Sequence, residues 1–331
     1  MDKISSYKNR IVLLCDEMQK LYGQLDSESK KDKDFEEEKI KYEVYKNLVN
    51  TVHNLVSTTL NSNDNLISLV STLRYTLESL IVTKLCILEP TYIYKIYFQT
   101  ALIHKTRLDS MISRIKKEIK LLEKLDAEET RLTTNSWKNL LEKINNSKNI
   151  LGDDKEFSGG RIYEASYELN EKNILEMDNK ASEHITLFFE DVENNGFNFQ
   201  KYLIENQLLP RYREELRKTE EKIQNTADNL ATSEYMKRFF DFNGEPKKVW
   251  KALEDRNQRG GYRTWNEKAT TVGLGDEYEA IYELTSKLLH CVSYSIFTSK
   301  FLAEEEVLLI YRQLFQYIKK ITTAINDIVS K

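Results

Sequence analysis

Glycine and proline are scarce in this chain: its 331 residues include 10 Gly and 3 Pro. Strand-rich folds need frequent turns, whereas helices exclude both residues, Gly for its backbone entropy and Pro for its missing donor. The scarcity argues against strands and for an all-α fold. Cysteine is sparse too. Cys15, Cys86 and Cys291 form an odd set without Cys-x2-Cys spacing, which suggests neither a disulfide framework nor a zinc site. A reducing, cytoplasmic setting is the matching expectation. Neither sign of charge dominates, with 49 basic and 53 acidic residues giving a net charge of −4. That balance gives no support to a protein coating nucleic acid over its whole surface and leaves room for a local basic patch. The most apolar region, Leu66 to Ile103, is interrupted by Arg74, Glu78, Lys84, Glu89, Pro90 and Lys95. No run approaches the ~20 apolar residues of a bilayer span, and the first residues lack a signal-peptide pattern, so no membrane is expected.

What is present is helical periodicity. Expected helices run from Asp2 to about Leu25, Glu36 to Leu60, Asn65 to Leu88 and Tyr92 to Leu125, and a shorter one from Asn135 to Ile150. The Asp- and Gly-rich stretch from Leu151 to Gly160 reads as a hinge. Helices follow near Ile162–Leu175, Lys180–Glu193 and, past a boundary at Leu209-Pro210, Arg211–Leu230. Residues 241–275 are the least regular part. Two helices close the chain, Asp276 to about Thr298 and Glu304 to about Val329. In the last, Val307, Tyr311, Leu314, Ile318, Ile321, Ile325 and Ile328 form a heptad seam that suits either an intramolecular bundle or a homodimer. The expectation is a multi-helix bundle of long antiparallel helices in three regions, with one continuous domain as the alternative. These are an N-terminal region 1–150, a middle region 151–275 with an irregular connector, and a C-terminal helical pair 276–331 packing on the N-terminal helices.

The common catalytic signatures are missing. The sequence has no phosphate-binding Gly-x4-Gly-Lys-Ser/Thr loop and no Gly-x-Ser-x-Gly elbow, and no His-Glu-x2-His occurs among His53, His104, His184 and His290. Asp153-Asp154 reads as a pair of loop acids. No metal or cofactor is expected.

Two constellations stand out. Tyr282, Ser286 and His290 are four apart on the penultimate helix, so they share a stripe beside an apolar face. Arg74 and Glu78, also four apart, lie in an otherwise apolar run, and burying them together is tolerable only if they pair. A cluster of Arg74, Glu78, Ser286 and His290 would be either an internal polar network or a site in which His290 is a base and Arg74 binds an anion such as phosphate. The second constellation spans Lys247 to Lys268. Lys247, Lys248, Arg259 and Arg263 interleave with Trp250 and Trp265, a combination suited to single-stranded nucleic acid. The alternative is that both Trp residues anchor the connector to the core while the charges face water.

At these residues the sequence resembles a family of uncharacterised bacterial and archaeal proteins, domain of unknown function five-six-seven-seven. The resemblance rests on Arg74-Tyr75-Thr76-Leu77-Glu78 in an early helix, on Tyr282-x3-Ser286-x3-His290 in a late one, and on Trp265 ahead of it. It covers Val44 to Ala303 loosely and implies an all-helical protein, some relatives of which sit at phage-defence loci. That setting is similar to the one of HEPN ribonucleases, whose motif is Arg, four to six residues, then His. None of the four His residues here has an Arg at that spacing.

Two roles follow as expectations. One is a sensor, regulator or interaction subunit in a bacterial defence or stress setting, with protein partners or a second copy. The other is a HEPN-like, metal-independent ribonuclease toxin, with Arg74 stabilising phosphate charge, His290 as acid/base, and Ser286 and Glu78 orienting them. RNA is a partner in the second role.

Overall fold

The computed structural model describes residues 3–30, 36–61, 66–151, 159–182, 192–289 and 303–329. Among them the fold is all-α, with α1 at Lys3–Lys30, α2 at Glu36–Asn61, α3 at Leu66–Leu88, α4 at Tyr92–Leu151, α5 at Gly159–Ser182, α6 at Val192–Leu203 and α7 at Leu209–Thr232. The short α8, Pro246–Ala252, and α9, Trp265–Thr271, are followed by α10, Gly275–Leu289, and α11, Glu304–Val329. The one extended contact among the described residues is a single antiparallel bridge between Arg256 and Tyr262.

The chain forms two compact units, one of Met1–Leu102 with Lys222–Lys331 and one of Ile103–Glu221. The boundaries therefore fall inside α4 and α7. The sequence placed them at residues 150 and 275, where glycine and acid content rises. Continuous apolar faces carry both helices past the boundaries, so composition does not mark them.

In the first unit α3 packs against α2, α9, α10 and α11, and α11 also packs on α1. The α2–α3 pair is antiparallel, tied by Thr59 to Thr72 (2.6 Å) and Ser68 (3.0 Å). Surrounded in this way, α3 is apolar nearly all round. It is the single described helix long and apolar enough to cross a bilayer by composition, at a mean hydropathy of 1.3, a property the sequence reading denied to this region. In the fold those apolar residues serve the core: Val70, Leu73, Leu77, Ile81 and Leu85 are inaccessible to solvent. The α11 seam also turns inward. Tyr311, Leu314, Ile318, Ile321 and Ile325 are buried, and so are Ile310, Phe315 and Tyr317 beside them. That buried stripe is wider than a two-helix seam needs, so these residues serve the unit's own bundle rather than a second copy. Burial pushes the Tyr317 hydroxyl pKa up, and its 2.8 Å bond to Glu277 of α10 adds to the shift.

The second unit has its own core, in which Ile112, Ile115, Leu122 and Leu125 of α4 meet Met177 and Ala181 of α5 and Phe197, Ile204 and Leu209 beyond. Lys180 of α5 reaches Glu128 of α4 at 2.6 Å, and Ser136 donates to Asn173 at 3.2 Å. These contacts explain why α4 is one helix of 60 residues where the sequence suggested a break after Leu125. The intervening Asp126 to Thr134 holds helix-tolerant residues, and Glu128 is fixed from α5. The expected break between Leu175 and Lys180 is likewise bridged, because Met177 and Ala181 belong to the core. At Leu209-Pro210 the helix does not stop. Residues Ile204–Leu208 form a π turn just ahead of the proline, which loosens the bonding where Pro has no N–H to give. A kink interrupts α6 at Gly196, whose φ is 67°. Most of the proposed 151–160 hinge lies outside the described residues.

Candidate functional site

Arg74 and Glu78 pair along α3, with Arg74 Nε 3.0 Å from Glu78 Oε1. The i to i+4 step brings the two side chains together whatever the rest of the fold does. Packing α10 on α3 adds an aromatic wall. The Arg74 guanidinium carbon lies 4.7 Å from the Tyr282 ring centroid, and Tyr278, one turn earlier, is tilted against Tyr282 at 5.9 Å. Burial works against the Arg74 charge, yet Glu78 and the two tyrosines more than offset it and hold the guanidinium pKa above its ordinary value. Burial raises the Tyr278 hydroxyl, Glu78 raises it further, and Arg74 draws it partly back. The pair is not sealed: the side chains of Arg74 and Glu78 are 26% and 18% exposed. Ser286 lies half-buried one turn beyond Tyr282. His290 lies outside the described residues.

The connector supplies a second polar cluster. Asn257 caps a tight loop by accepting from the backbone N–H groups of Arg259 and Gly261, both at 3.0 Å, with Gly260 at φ 82°. That loop brings Asp255 beside Arg263, whose backbone N–H donates to the Asp255 carbonyl at 3.0 Å. Thr264 and Glu267 then form a reciprocal capping box that starts α9 and fixes Trp265 and Lys268 on its first turn. As a result Asp255, 1% exposed, is reached by Arg263 at 2.6 Å and Lys268 at 2.8 Å. The Tyr92 hydroxyl donates to the same carboxylate at 3.3 Å. Arg263 also spans Glu89, at the α3–α4 turn, through bonds of 2.7 and 3.2 Å. Burial raises the Asp255 pKa, but Lys268 and Arg263 outweigh it and hold the carboxyl below its ordinary value.

The two clusters join. Lys268 lies 5.1 Å over the Trp265 ring, Trp265 stacks on Tyr278 at 6.5 Å, and Tyr278 leads through Tyr282 to Arg74. One chain of polar and aromatic contacts thus runs from Glu89 to Glu78. Of the residues singled out for nucleic acid, Trp250 meets Phe98 edge-on at 5.4 Å, Trp265 is engaged as above, and Arg263 is held in ion pairs at 11% side-chain exposure. Lys248 pairs with Glu245 at 3.0 Å, while Lys247 and Arg259 are exposed. Both indole rings are thus packed into the protein. Sequence reasoning did not assign Glu89, Tyr92 or Tyr278 to a site, and it placed Lys268 and Asp255 in the basic constellation without pairing them. Tyr278 could have been found by extending the Tyr282 stripe one turn back.

Of the cysteines, Cys15 and Cys86 are buried free thiols, and burial pushes Cys86 up to about 12, where it is a poor nucleophile. Cys291 lies outside the described residues. No group of His, Cys, Asp and Glu suited to a metal ion occurs among the described residues. No protein-family model matches the chain, and neither the curated proteins nor the solved structures yield a match.

Proposed function

We propose that the protein is a non-catalytic helical sensor, regulator or interaction subunit of a bacterial defence or stress system, working in the reducing cytoplasm through protein partners. The observation that carries this reading is the occupation of Arg74. Glu78 takes one edge of its guanidinium and Tyr282 covers a face. An arginine meant for a phosphodiester is turned to the ligand, whereas here Nε is given to Glu78 and the Tyr282 ring covers a guanidinium face, in a contact chain that ties α3, α9 and α10 together. The defence setting rests on the resemblance of the Arg74–Glu78 and Tyr282–Ser286–His290 segments noted above.

A ribonuclease reading has its own support in accessibility. Arg74 reaches solvent, and Tyr282 beside it is 43% exposed, so an anion could approach the pair. In that reading Arg74 stabilises phosphate charge, His290 transfers the proton, and Ser286 and Glu78 orient them. The deciding experiment follows growth and total-RNA integrity in bacterial cells after induction of wild type, His290→Ala and Arg74→Gln at matched soluble levels. The expected result is intact RNA in all three, with Arg74→Gln lowering the melting temperature. RNA cleavage by wild type that both variants abolish would replace the first reading with the second.

A further inference from the structure

The solvent face of α4 in the second unit carries a row of cations: Lys116, Lys117, Lys120, Lys124, Arg131 and Lys138, all exposed. Helical geometry places them within one broad stripe opposite the face that Ile115, Leu122 and Leu125 bury. The row is about 33 Å long, from 22 steps of 1.5 Å. Such a row is not a consequence of composition, since the whole chain has a net charge of −4.

Exposed helices commonly balance Lys with Glu four residues away, a pairing that stabilises them. Here the four-residue steps Lys116–Lys120–Lys124 place like charges together, which costs the helix a few tenths of a kcal/mol per pair. Two of the acids beside the stripe, Glu123 and Glu128, are already taken by other helices, and a third, Glu142, is exposed four residues after Lys138. Lys201 holds Glu123 at 2.8 Å, and Lys180 holds Glu128 at 2.6 Å, leaving Arg131 a looser approach to Glu128 at 3.9 Å. Among the described residues no carboxylate pairs with Lys116, Lys117, Lys120, Lys124 or Lys138. The row is therefore arranged for an anion that is not part of this unit.

We propose that this face of α4 binds the phosphate backbone of a nucleic acid. Phosphates are spaced about 6–7 Å apart along a strand, so the row matches several in succession, and lysines can engage them without reading sequence. A lipid surface fits less well. Interfacial helices set large apolar residues beside their lysines along their length, whereas Ser113, Ala127 and Thr134 lie among these cations and exposed large apolar residues, Trp137 and Leu141, flank only Lys138 at the far end. The proposal goes beyond the role assigned above, since it involves neither Arg74 nor His290.

The test is fluorescence anisotropy of the full chain with labelled 24-base-pair duplexes, DNA and RNA, of mixed sequence, between 50 and 200 mM salt. If about six phosphates are engaged on DNA, the logarithm of the affinity falls with the logarithm of salt at a slope of about −5. Lys117→Gln/Lys120→Gln/Lys124→Gln is expected to flatten that slope by about 3 and to weaken binding at least tenfold at low salt. It should melt no lower than wild type, because glutamine keeps helix propensity and the like-charge contacts are gone. Lys20→Gln/Lys319→Gln/Lys320→Gln removes the same charge from exposed positions elsewhere and is expected to bind as wild type does. No binding by wild type, equal loss in both variants, or binding to phosphatidylserine vesicles in preference to both duplexes would each overturn the proposal.

Discussion

Asp255→Asn is expected to destabilise the first unit by about 3–5 kcal/mol, the cost of removing one partner from a buried ion pair. The size follows from what remains. Asp255 is 1% exposed and receives Lys268 at 2.8 Å and Arg263 at 2.6 Å. Without the carboxylate, Arg263 keeps Glu89, but Lys268 is left with the Trp265 ring and a buried face that no longer compensates it. A thermal melt should show the unit's transition about 10 °C lower. A second substitution tests the cause: Lys268→Met in the Asp255→Asn background removes the stranded cation and should recover part of the loss. An unchanged midpoint for the single variant would mean the cluster contributes nothing net.

The same cluster fixes a pH dependence. The Asp255 carboxyl titrates below its ordinary value of 3.8 in the folded chain, because Lys268 and Arg263 outweigh the opposing effect of burial. A depressed carboxyl contributes stability that is fully present above its unfolded value and is lost as pH falls through the folded one. Wild type should therefore lose stability below about pH 4 more steeply than Asp255→Asn, and the two curves should converge in acid. Curves that stay parallel would assign the acid limb to other carboxylates.

Much of the fold is legible in the sequence where one helix's own periodicity suffices. The α11 seam predicts both the helix and its buried face, and Arg74 with Glu78 predicts an ion pair, because four-residue steps are local. Helix ends were read less well, since they depend on distant partners. Asp126 to Thr134 resembles a stop until Lys180 and Asn173 arrive from α5. Pro210 resembles a stop until a π turn absorbs it. The site divides in the same way. The meeting of the α3 and α10 polar stripes could be anticipated from their need for partners, and the structure brings Arg74 to Tyr282 rather than showing it against Ser286. The joining of Asp255, Arg263 and Glu89 could not be anticipated. Charged residues in an irregular segment look like a solvated surface, and the Asn257-capped loop that turns them inward leaves little trace in periodicity.

Leu77→Ala is the second large effect, expected to cost about 2–5 kcal/mol. Leu77 is 0% exposed and lies between Arg74 and Glu78 on α3, the helix that α2, α9, α10 and α11 all contact. Helices packed on several sides leave little freedom for the site to collapse, so the lost methyl groups become a cavity rather than a repacked core. Leu77→Met conserves volume and should cost less than about 1.5 kcal/mol. Ile87, on the same helix but 52% exposed, should change stability by no more than about 0.5 kcal/mol when replaced by Ala. The contrast between Leu77 and Ile87, read by urea unfolding, tests whether the apolar character of α3 belongs to an internal core. A helix that met lipid or a large partner on its outer side would show the opposite order in the isolated chain. Leu77 would then be tolerant, and the exposed Ile67, Ile87 and Leu88 would control solubility. The chain of contacts from Glu78 through Tyr278 to Asp255 requires the first order, because it holds only while α3 stays packed against α9 and α10.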